Sequence, residues 1–177
     1  MRKITTFLCM FPFVLVLFSL FLAAGITARA EFRDYTSEDI MCIANMVYGE
    51  ISAVCYDDAY SVDEQNEIMQ RWAMVALNHI EHGIADSIPE LMRSETGGGY
   101  YVWHPMYGTA EYMEKAVAEN ADIYERCRIA TIAAMNGTAT DMPDDVIFAD
   151  LRPLGEVYAR YSIDTGYYSS TVYLCYA

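Results

Sequence analysis

The segment from about Val62 to His82 constrains the fold more than any other part of the chain. Ser61 and Glu64 form a helix-capping signal at its start, and Gly83 follows its end. Its apolar residues recur at helical spacing and cover more than one face, which is not the pattern of a helix on a protein surface. We therefore predict a central, buried helix against which the other elements pack.

Three further helices are indicated by caps and periodicity. Thr36 and Asp39 form a second capping signal, followed by apolar residues at helical spacing through Ile51. Ser87-Ile88-Pro89 begins a short helix, and a long one covers Ala110 to Met135. The first two-thirds of the region after residue 30 is thus predicted to be mainly helical.

After Pro143 the pattern changes to short segments rich in β-branched and aromatic residues. The strand candidates are Val146–Ala149, Glu156–Tyr161 and Thr171–Tyr176. Helices followed by a small antiparallel sheet make an α+β arrangement. Because no internal repeat or proline-rich linker interrupts the chain, we predict one domain over residues 31–177.

The N-terminus has the three parts of an export signal. Arg2 and Lys3 are followed by an apolar run from Phe7 to Ala24, and Ala28-Arg29-Ala30 resembles a cleavage site. We predict that residues 1–30 are a signal peptide, with an uncleaved membrane anchor as the alternative. Both place residues 31–177 outside the cytoplasm, either secreted or in the cell envelope, and only the anchor implies membrane contact.

Charge and cysteine content restrict the classes of protein that fit. The formal charge is −14, and it becomes −17 when the three basic residues of the N-terminal segment are removed. This charge excludes a basic nucleic-acid-binding protein. Export and the even number of remaining cysteines favour at least one disulfide, whereas four buried thiols are the alternative. These cysteines are Cys42, Cys55, Cys127 and Cys175, and their pairing stays open.

Glu50 is the acidic residue that best fits a catalytic role. It lies at the end of the first predicted helix, at the edge of the apolar stripe that includes Val47 and next to Tyr48. A half-buried carboxyl in that position holds a proton more readily than one in water, as a general acid requires. The alternative is a solvated glutamate at a fraying helix end.

Aromatic and histidine side chains provide the other candidate sites. Tyr100 to Trp103 follow a glycine run, and exposed aromatic rings stack on sugars, although these rings could equally cap the core. His79 and His82 are spaced as a metal pair, but His79 lies on an apolar stripe and no H-E-x-x-H motif is present. We therefore expect no metal and no other cofactor.

Taken together, several short motifs resemble the SleB-like family of bacterial cell-wall hydrolases, the type that lyses the spore cortex. Their shared order covers roughly residues 38–176. The motifs are Tyr48-Gly49-Glu50, Val75–Ile80, Ile88–Met92, Gly99-Tyr100-Tyr101, Ala134–Gly137, Pro143–Phe148, Gly155–Tyr158 and Tyr173–Tyr176. Departures from the family pattern include Gly49 before the acid, His79 in place of an arginine and Gly99 in place of a glutamine.

The resemblance implies a lysozyme-like fold and cleavage of the glycan strand of peptidoglycan. It assigns the catalytic acid to Glu50 and suggests a lytic transglycosylase, in which one carboxyl suffices. Hydrolysis by water needs a second carboxyl, and Asp150 is the nearest by pattern. The residues expected to contact the glycan are Tyr48, Tyr100, Tyr101, Phe148, Asp150 and Tyr158.

Two other functions fit the same sequence. A non-catalytic glycan-binding or interaction protein would use exposed tyrosines of the strands, namely Tyr158, Tyr161, Tyr167 and Tyr168. A secreted structural domain held by disulfides is the third possibility. For the enzyme we expect a monomer whose partner is peptidoglycan.

Overall fold

The computed structural model describes residues 34–95, 102–137 and 142–177 of the chain. Helices form the first part of this region, and a three-stranded sheet forms the last. The helices are α1 (Ser37–Ile51), α2 (Val62–Glu81), α3 (Ile88–Leu91) and α4 (Ala110–Met135), and the strands are β1 (Val146–Asp150), β2 (Val157–Asp164) and β3 (Ser169–Tyr176). Two 3₁₀ helices that the sequence patterns did not predict cover Ser52–Tyr56 and Pro105–Gly108.

Both predicted capping signals are confirmed. The Thr36 hydroxyl accepts a hydrogen bond from the Asp39 amide, and the Asp39 carboxylate accepts one from the Thr36 amide. Ser61 and Glu64 exchange the same pair of bonds at the start of α2. Each pair satisfies amide groups that have no partner within the first turn of a helix, which is why these residues fix the two helix starts.

The prediction that α2 is central is also confirmed. It packs against α1, α3, α4, β1 and the first 3₁₀ helix, and it buries Met69, Trp72 and Val75 almost completely. Asn78, also buried, donates hydrogen bonds of 3.0 and 2.9 Å to the carbonyl groups of Pro143 and Val146. The helix therefore fixes the position at which β1 begins.

The long helix α4 has the predicted bounds but is broken at Asn120. There the backbone has φ −157° and ψ 90°, which is not helical. The Asn120 side chain accepts a hydrogen bond from the Ile123 amide, as an N-cap does, and donates one to the Tyr56 hydroxyl. The predicted single helix is thus two helical segments, with Asn120 capping the second.

The sheet has the order β1-β3-β2, and both outer strands are antiparallel to β3. The predicted α+β class with a small C-terminal antiparallel sheet is confirmed. Gly166, at φ 78°, makes the left-handed turn between β2 and β3. Tyr161, predicted to be exposed, is instead buried with Ile163 and Val172, because alternate residues of these strands face the core.

A buried carboxylate joins the loop before α2 to the end of β2. Asp57 is only 3% exposed. Its two oxygens accept hydrogen bonds of 2.8 Å from the amides of Ala59 and Asp164. The Tyr60 hydroxyl adds a bond of 3.1 Å to the Ser162 carbonyl. This loop therefore connects the helical part to the sheet.

All four cysteines predicted to be available for pairing are free thiols in the structure. The described residues therefore lack the expected disulfide, and the alternative of four buried thiols holds for three of them. Cys42, Cys127 and Cys175 are buried, and Cys55 is half-buried. They pack as small apolar side chains do.

Two sequence predictions fall outside the described residues. These are the signal peptide of residues 1–30 and the loop tyrosines Tyr100 and Tyr101, which belong to the segment 96–101. Within the described part of the chain, the helices are all too short or too polar to traverse a membrane.

Candidate functional site

Glu50 lies in the last turn of α1, where its carboxyl binds a tyrosine side chain. The Tyr107 hydroxyl donates a hydrogen bond of 2.6 Å to Oε1 of Glu50. The prediction that Glu50 is half-buried is wrong, because its side chain is exposed. The apolar stripe is carried by Val47 and Ile51, both fully buried, so Glu50 emerges on the solvent side of the stripe.

The helix that carries Glu50 also positions Tyr107. Asn45, fully buried on α1, donates hydrogen bonds of 2.8 and 3.1 Å to the carbonyl groups of Tyr107 and Thr109. Its own carbonyl oxygen accepts a bond of 2.9 Å from the Tyr124 hydroxyl on α4. The first two bonds attach the segment of the second 3₁₀ helix to α1, and the third attaches α4, at a point less than two helical turns before Glu50.

Gly49 is required by the packing of two tyrosine rings over the end of α1. A Cβ atom at this position would lie 2.5 Å from Cε1 of Tyr107 and 2.6 Å from the hydroxyl oxygen of Tyr112. The two rings themselves meet edge to face, with centroids 5.1 Å apart. The absence of a side chain at Gly49 therefore makes room for the tyrosine that binds Glu50.

The tyrosines around Glu50 remain neutral at physiological pH. Burial, and then the Glu50 carboxylate, raise the pKa of Tyr107 above its ordinary value, so Tyr107 is a hydrogen-bond donor. The pKa of Tyr112 is raised by burial and then by Glu50 and Glu119. Burial and the nearby Glu119 raise the pKa of Tyr48 to about 12, and its hydroxyl lies 3.4 Å from Oε2 of Glu119.

Glu119 is therefore the second carboxylate of this region. It lies on α4 immediately before the break at Asn120, and it shares Tyr112 with Glu50 as an electrostatic neighbour. The sequence pattern pointed instead to Asp150. Asp150 lies on β1, where its carboxylate accepts a hydrogen bond from the Arg152 amide instead.

An open groove of about 590 Å³ begins two residues after Glu50. Tyr167 and Tyr56 are its most exposed rings, at 102% and 56% of their full accessible surface. The groove lies between the first 3₁₀ helix and the β2–β3 turn, and none of the described residues that line it is charged. Its lining residues are Ser52, Ala53, Tyr56, Thr165, Tyr167 and Tyr168.

The residues of the sheet that were predicted to contact substrate pack against side chains other than those around Glu50. Tyr158 is half-buried, with the Arg71 guanidinium 5.7 Å from its ring centre and the Tyr176 ring edge-on at 5.9 Å. Phe148 and Asp150 lie on β1, which packs mainly on β3 and α2 rather than on the helix of Glu50. Of the predicted site residues, the structure thus brings Tyr48 and Glu50 to the same end of α1.

Sequence reasoning missed four residues of this region: Asn45, Tyr107, Tyr112 and Glu119. One signal was present, because Asn45 interrupts an apolar helical stripe and a buried amide needs hydrogen-bond partners. That signal predicts that some segment binds to α1 at this point. It does not predict which segment, since the partners lie more than 60 positions away in sequence.

The site is a fixed, accessible carboxyl surrounded by neutral phenols, which suits proton transfer to a polar, uncharged ligand. Within the described ranges, no group of three or more His, Cys, Asp or Glu side chains could hold a metal ion. His82 contacts the Asp144 carbonyl instead, and His79 is buried. Comparison of the chain with protein-family models, curated proteins and solved structures finds no match in any of the three.

Proposed function

We propose that this protein is an exported enzyme that cleaves the glycan strand of peptidoglycan, with Glu50 as its catalytic acid. The observation that carries the proposal is the carboxyl of Glu50, exposed at a helix end and held by the Tyr107 hydroxyl at 2.6 Å. A lysozyme-like fold and membership of the SleB-like family are parts of the same proposal, and the order of the sequence motifs supports them.

The hydrogen bond from Tyr107 leaves one carboxyl oxygen of Glu50 free to act on a substrate. It occupies Oε1 of Glu50 and orients the carboxyl, and within the described residues Oε2 accepts no hydrogen bond. A glycan bound over Glu50 would displace water from this oxygen. Proton transfer in such a water-poor site is the general acid catalysis that glycosidic bond cleavage requires.

The proposed reaction uses Glu50 twice. Protonated Glu50 gives its proton to the glycosidic oxygen, and the bond between this oxygen and C1 of the muramic sugar breaks. The Glu50 carboxylate then takes the proton of the C6 hydroxyl of that sugar, whose oxygen bonds to C1. The products are a new free hydroxyl on one fragment and a 1,6-anhydro ring on the other, without consumption of water.

Incubation of the purified protein with peptidoglycan tests the role of Glu50. We expect Glu50→Gln to lose activity by about 10²- to 10⁴-fold, because an amide cannot donate the required proton. The matched control is Glu38→Gln, an exposed residue in the first turn of the same helix and about 18 Å away along its axis. Equal activity of a folded Glu50→Gln protein and the wild type would refute the proposal.

The products distinguish the two modes of cleavage. Mass spectrometry of the digest should show 1,6-anhydromuramyl ends, and Glu119→Gln should then keep activity. Reducing ends instead would mean that water attacks C1, and a second carboxylate would be required. In that case Glu119, rather than Asp150, is the first residue to test because it shares Tyr112 with Glu50.

The uncharged tyrosine groove supports one alternative function, which is glycan binding without cleavage. Tyr167 is fully exposed, and exposed phenol rings offer an apolar face with a hydroxyl at its edge, which suits the alternating apolar and hydroxyl surfaces of a sugar. For this function, Tyr56→Ala and Tyr167→Ala should abolish sedimentation of the protein with insoluble peptidoglycan. No cleavage product should form, and Glu50→Gln should bind as the wild type does.

A further inference from the structure

Three sulfur atoms meet where α2, α4 and the first 3₁₀ helix pack together. The Sδ atom of Met69 lies 3.8 Å from Sγ of Cys55 and 3.6 Å from Sγ of Cys127. Met69 and Cys127 are completely buried, whereas Cys55 is half-buried. The function proposed above uses none of these atoms.

We propose that Cys55, Met69 and Cys127 form a binding site for one soft monovalent metal ion of the copper(I) class. Thiolate and thioether sulfurs are the ligands that such ions prefer over harder cations. Metal–sulfur bonds of about 2.3 Å would place the sulfurs of a trigonal site about 4 Å apart, close to the separations from Met69. The cluster has two cysteines and one methionine, so it differs from the groups of three or more His, Cys, Asp or Glu considered above.

The charge balance around the sulfurs fits this ion. Binding requires both thiols to lose their protons to solvent, so one monovalent ion and two thiolates leave one net negative charge. The positive charge of Arg126 attracts the thiolate forms of both cysteines, and its guanidinium donates hydrogen bonds to Gln65 and Asn66 near the start of α2.

The position of Met69 favours a metal over a covalent cross-link. Its sulfur contacts both thiols, and a disulfide would instead require the two Sγ atoms to approach to about 2.05 Å. A thioether in contact with two thiols can supply a third ligand to a metal, and it contributes nothing to a disulfide. The partial exposure of Cys55 provides the side from which an ion enters.

Competition with a chromogenic copper(I) chelator under anaerobic conditions tests the site. We expect the reduced protein to bind one equivalent of copper(I) and to release two protons per ion. Because changes outside the ligand shell already cost about 10- to 100-fold in affinity, Cys55→Ser, Cys127→Ser and Met69→Leu should each weaken binding by at least about tenfold. The matched control, Cys42→Ser with Cys175→Ser, should keep wild-type affinity, since these thiols lie on α1 and β3.

Two results would overturn the proposal. Equal copper(I) affinity of the wild type and Met69→Leu, a substitution of nearly unchanged volume that should fold, would exclude the three-sulfur site. Peptide mapping that finds Cys55 and Cys127 linked to each other in the metal-free protein as purified would identify them as a structural disulfide instead. Circular dichroism of each variant confirms that a loss of affinity is not a loss of fold.

Discussion

Asn45 donates a hydrogen bond of 2.8 Å to the backbone carbonyl of Tyr107, whose hydroxyl in turn donates one of 2.6 Å to Glu50. Two residues of α1 thus bind the same tyrosine: Asn45 binds its backbone, and Glu50 binds its hydroxyl, which orients the Glu50 carboxyl. Both residues of the Tyr107–Glu50 bond lie on regular elements, because Glu50 belongs to α1 and Tyr107 to a 3₁₀ helix that is hydrogen-bonded to α1. Preorganisation of this kind is what an active-site carboxyl needs.

Removal of the Tyr107 hydroxyl should lower the proposed cleavage activity much more than the stability of the fold. We expect Tyr107→Phe to change the free energy of unfolding by about 1 kcal/mol or less, since the bond is only partly buried. Peptidoglycan cleavage should fall by about 10- to 100-fold, because Glu50 is no longer held in one direction. Tyr60→Phe, which removes a hydroxyl bonded to the Ser162 carbonyl, is the matched control and should cleave at the wild-type rate.

Replacement of Gly49 by alanine should destabilise the protein, although the same replacement usually stabilises a helix. Alanine in place of glycine normally stabilises a helix by about 1 kcal/mol. Here the added methyl group overlaps the rings of Tyr107 and Tyr112, so Gly49→Ala should lower the free energy of unfolding by about 1 to 3 kcal/mol. Chemical denaturation measures this change, and a stability higher than that of the wild type would show that the rings move aside without cost.

The Asn45 amide should contribute more to stability than the tyrosine that it binds on α4. Asn45→Leu removes three hydrogen bonds and leaves two carbonyl groups and a hydroxyl without their partner, so we expect a loss of about 3 kcal/mol or more. Tyr124→Phe breaks one of the three bonds and should cost about 1 to 2 kcal/mol. Equal losses for the two variants in urea unfolding would contradict this ranking.

His79 should make the protein sensitive to mild acid. Burial lowers its pKa to about 4 in the folded state, whereas the unfolded side chain titrates near 6.5. Below pH 6.5 the unfolded chain therefore takes up a proton that the folded chain refuses, and stability falls as the pH drops towards 4. The full contribution is on the order of 3 kcal/mol.

The variant His79→Phe separates the effect of His79 on the pH dependence of stability from that of the carboxylates. His79→Phe keeps a ring beside Trp103, which lies 5.9 Å away, and removes the titration. The stability difference between wild type and variant should shift in favour of the variant as the pH falls from 7 to 4. A difference that stays constant over this range would rule out a role for His79.

Asp57 and its neighbour Asp58 provide a matched pair of carboxylates. Asp57 accepts two backbone hydrogen bonds in a buried position, and Asp58 is exposed. Asp57→Asn loses one acceptor oxygen and the charge that strengthens both bonds, so we expect a loss of about 2 to 3 kcal/mol. Asp58→Asn should stay within about 0.5 kcal/mol of the wild type in the same thermal or urea unfolding experiment.

Local patterns in the sequence predicted most of the secondary structure. The capping residues Thr36 and Ser61 determine both helix starts, because a capping box involves residues only three positions apart. Apolar periodicity predicted that α2 is buried, and segments rich in β-branched and aromatic residues predicted the three strands. The break at Asn120 was missed, since its cause includes a bond to Tyr56 from another part of the chain.

Glu50 could be selected as the candidate acid from its position at the end of a predicted helix and from its motif. The surroundings of Glu50 depend on tertiary packing: the Tyr107 hydroxyl binds its carboxyl, Glu119 shares Tyr112 with it as an electrostatic neighbour, and the residue is exposed rather than half-buried. The same holds for Cys55 and Cys127, whose meeting at Met69 no spacing predicts. The physical reason is that caps and periodicity act within one element, whereas these contacts depend on how separate elements pack.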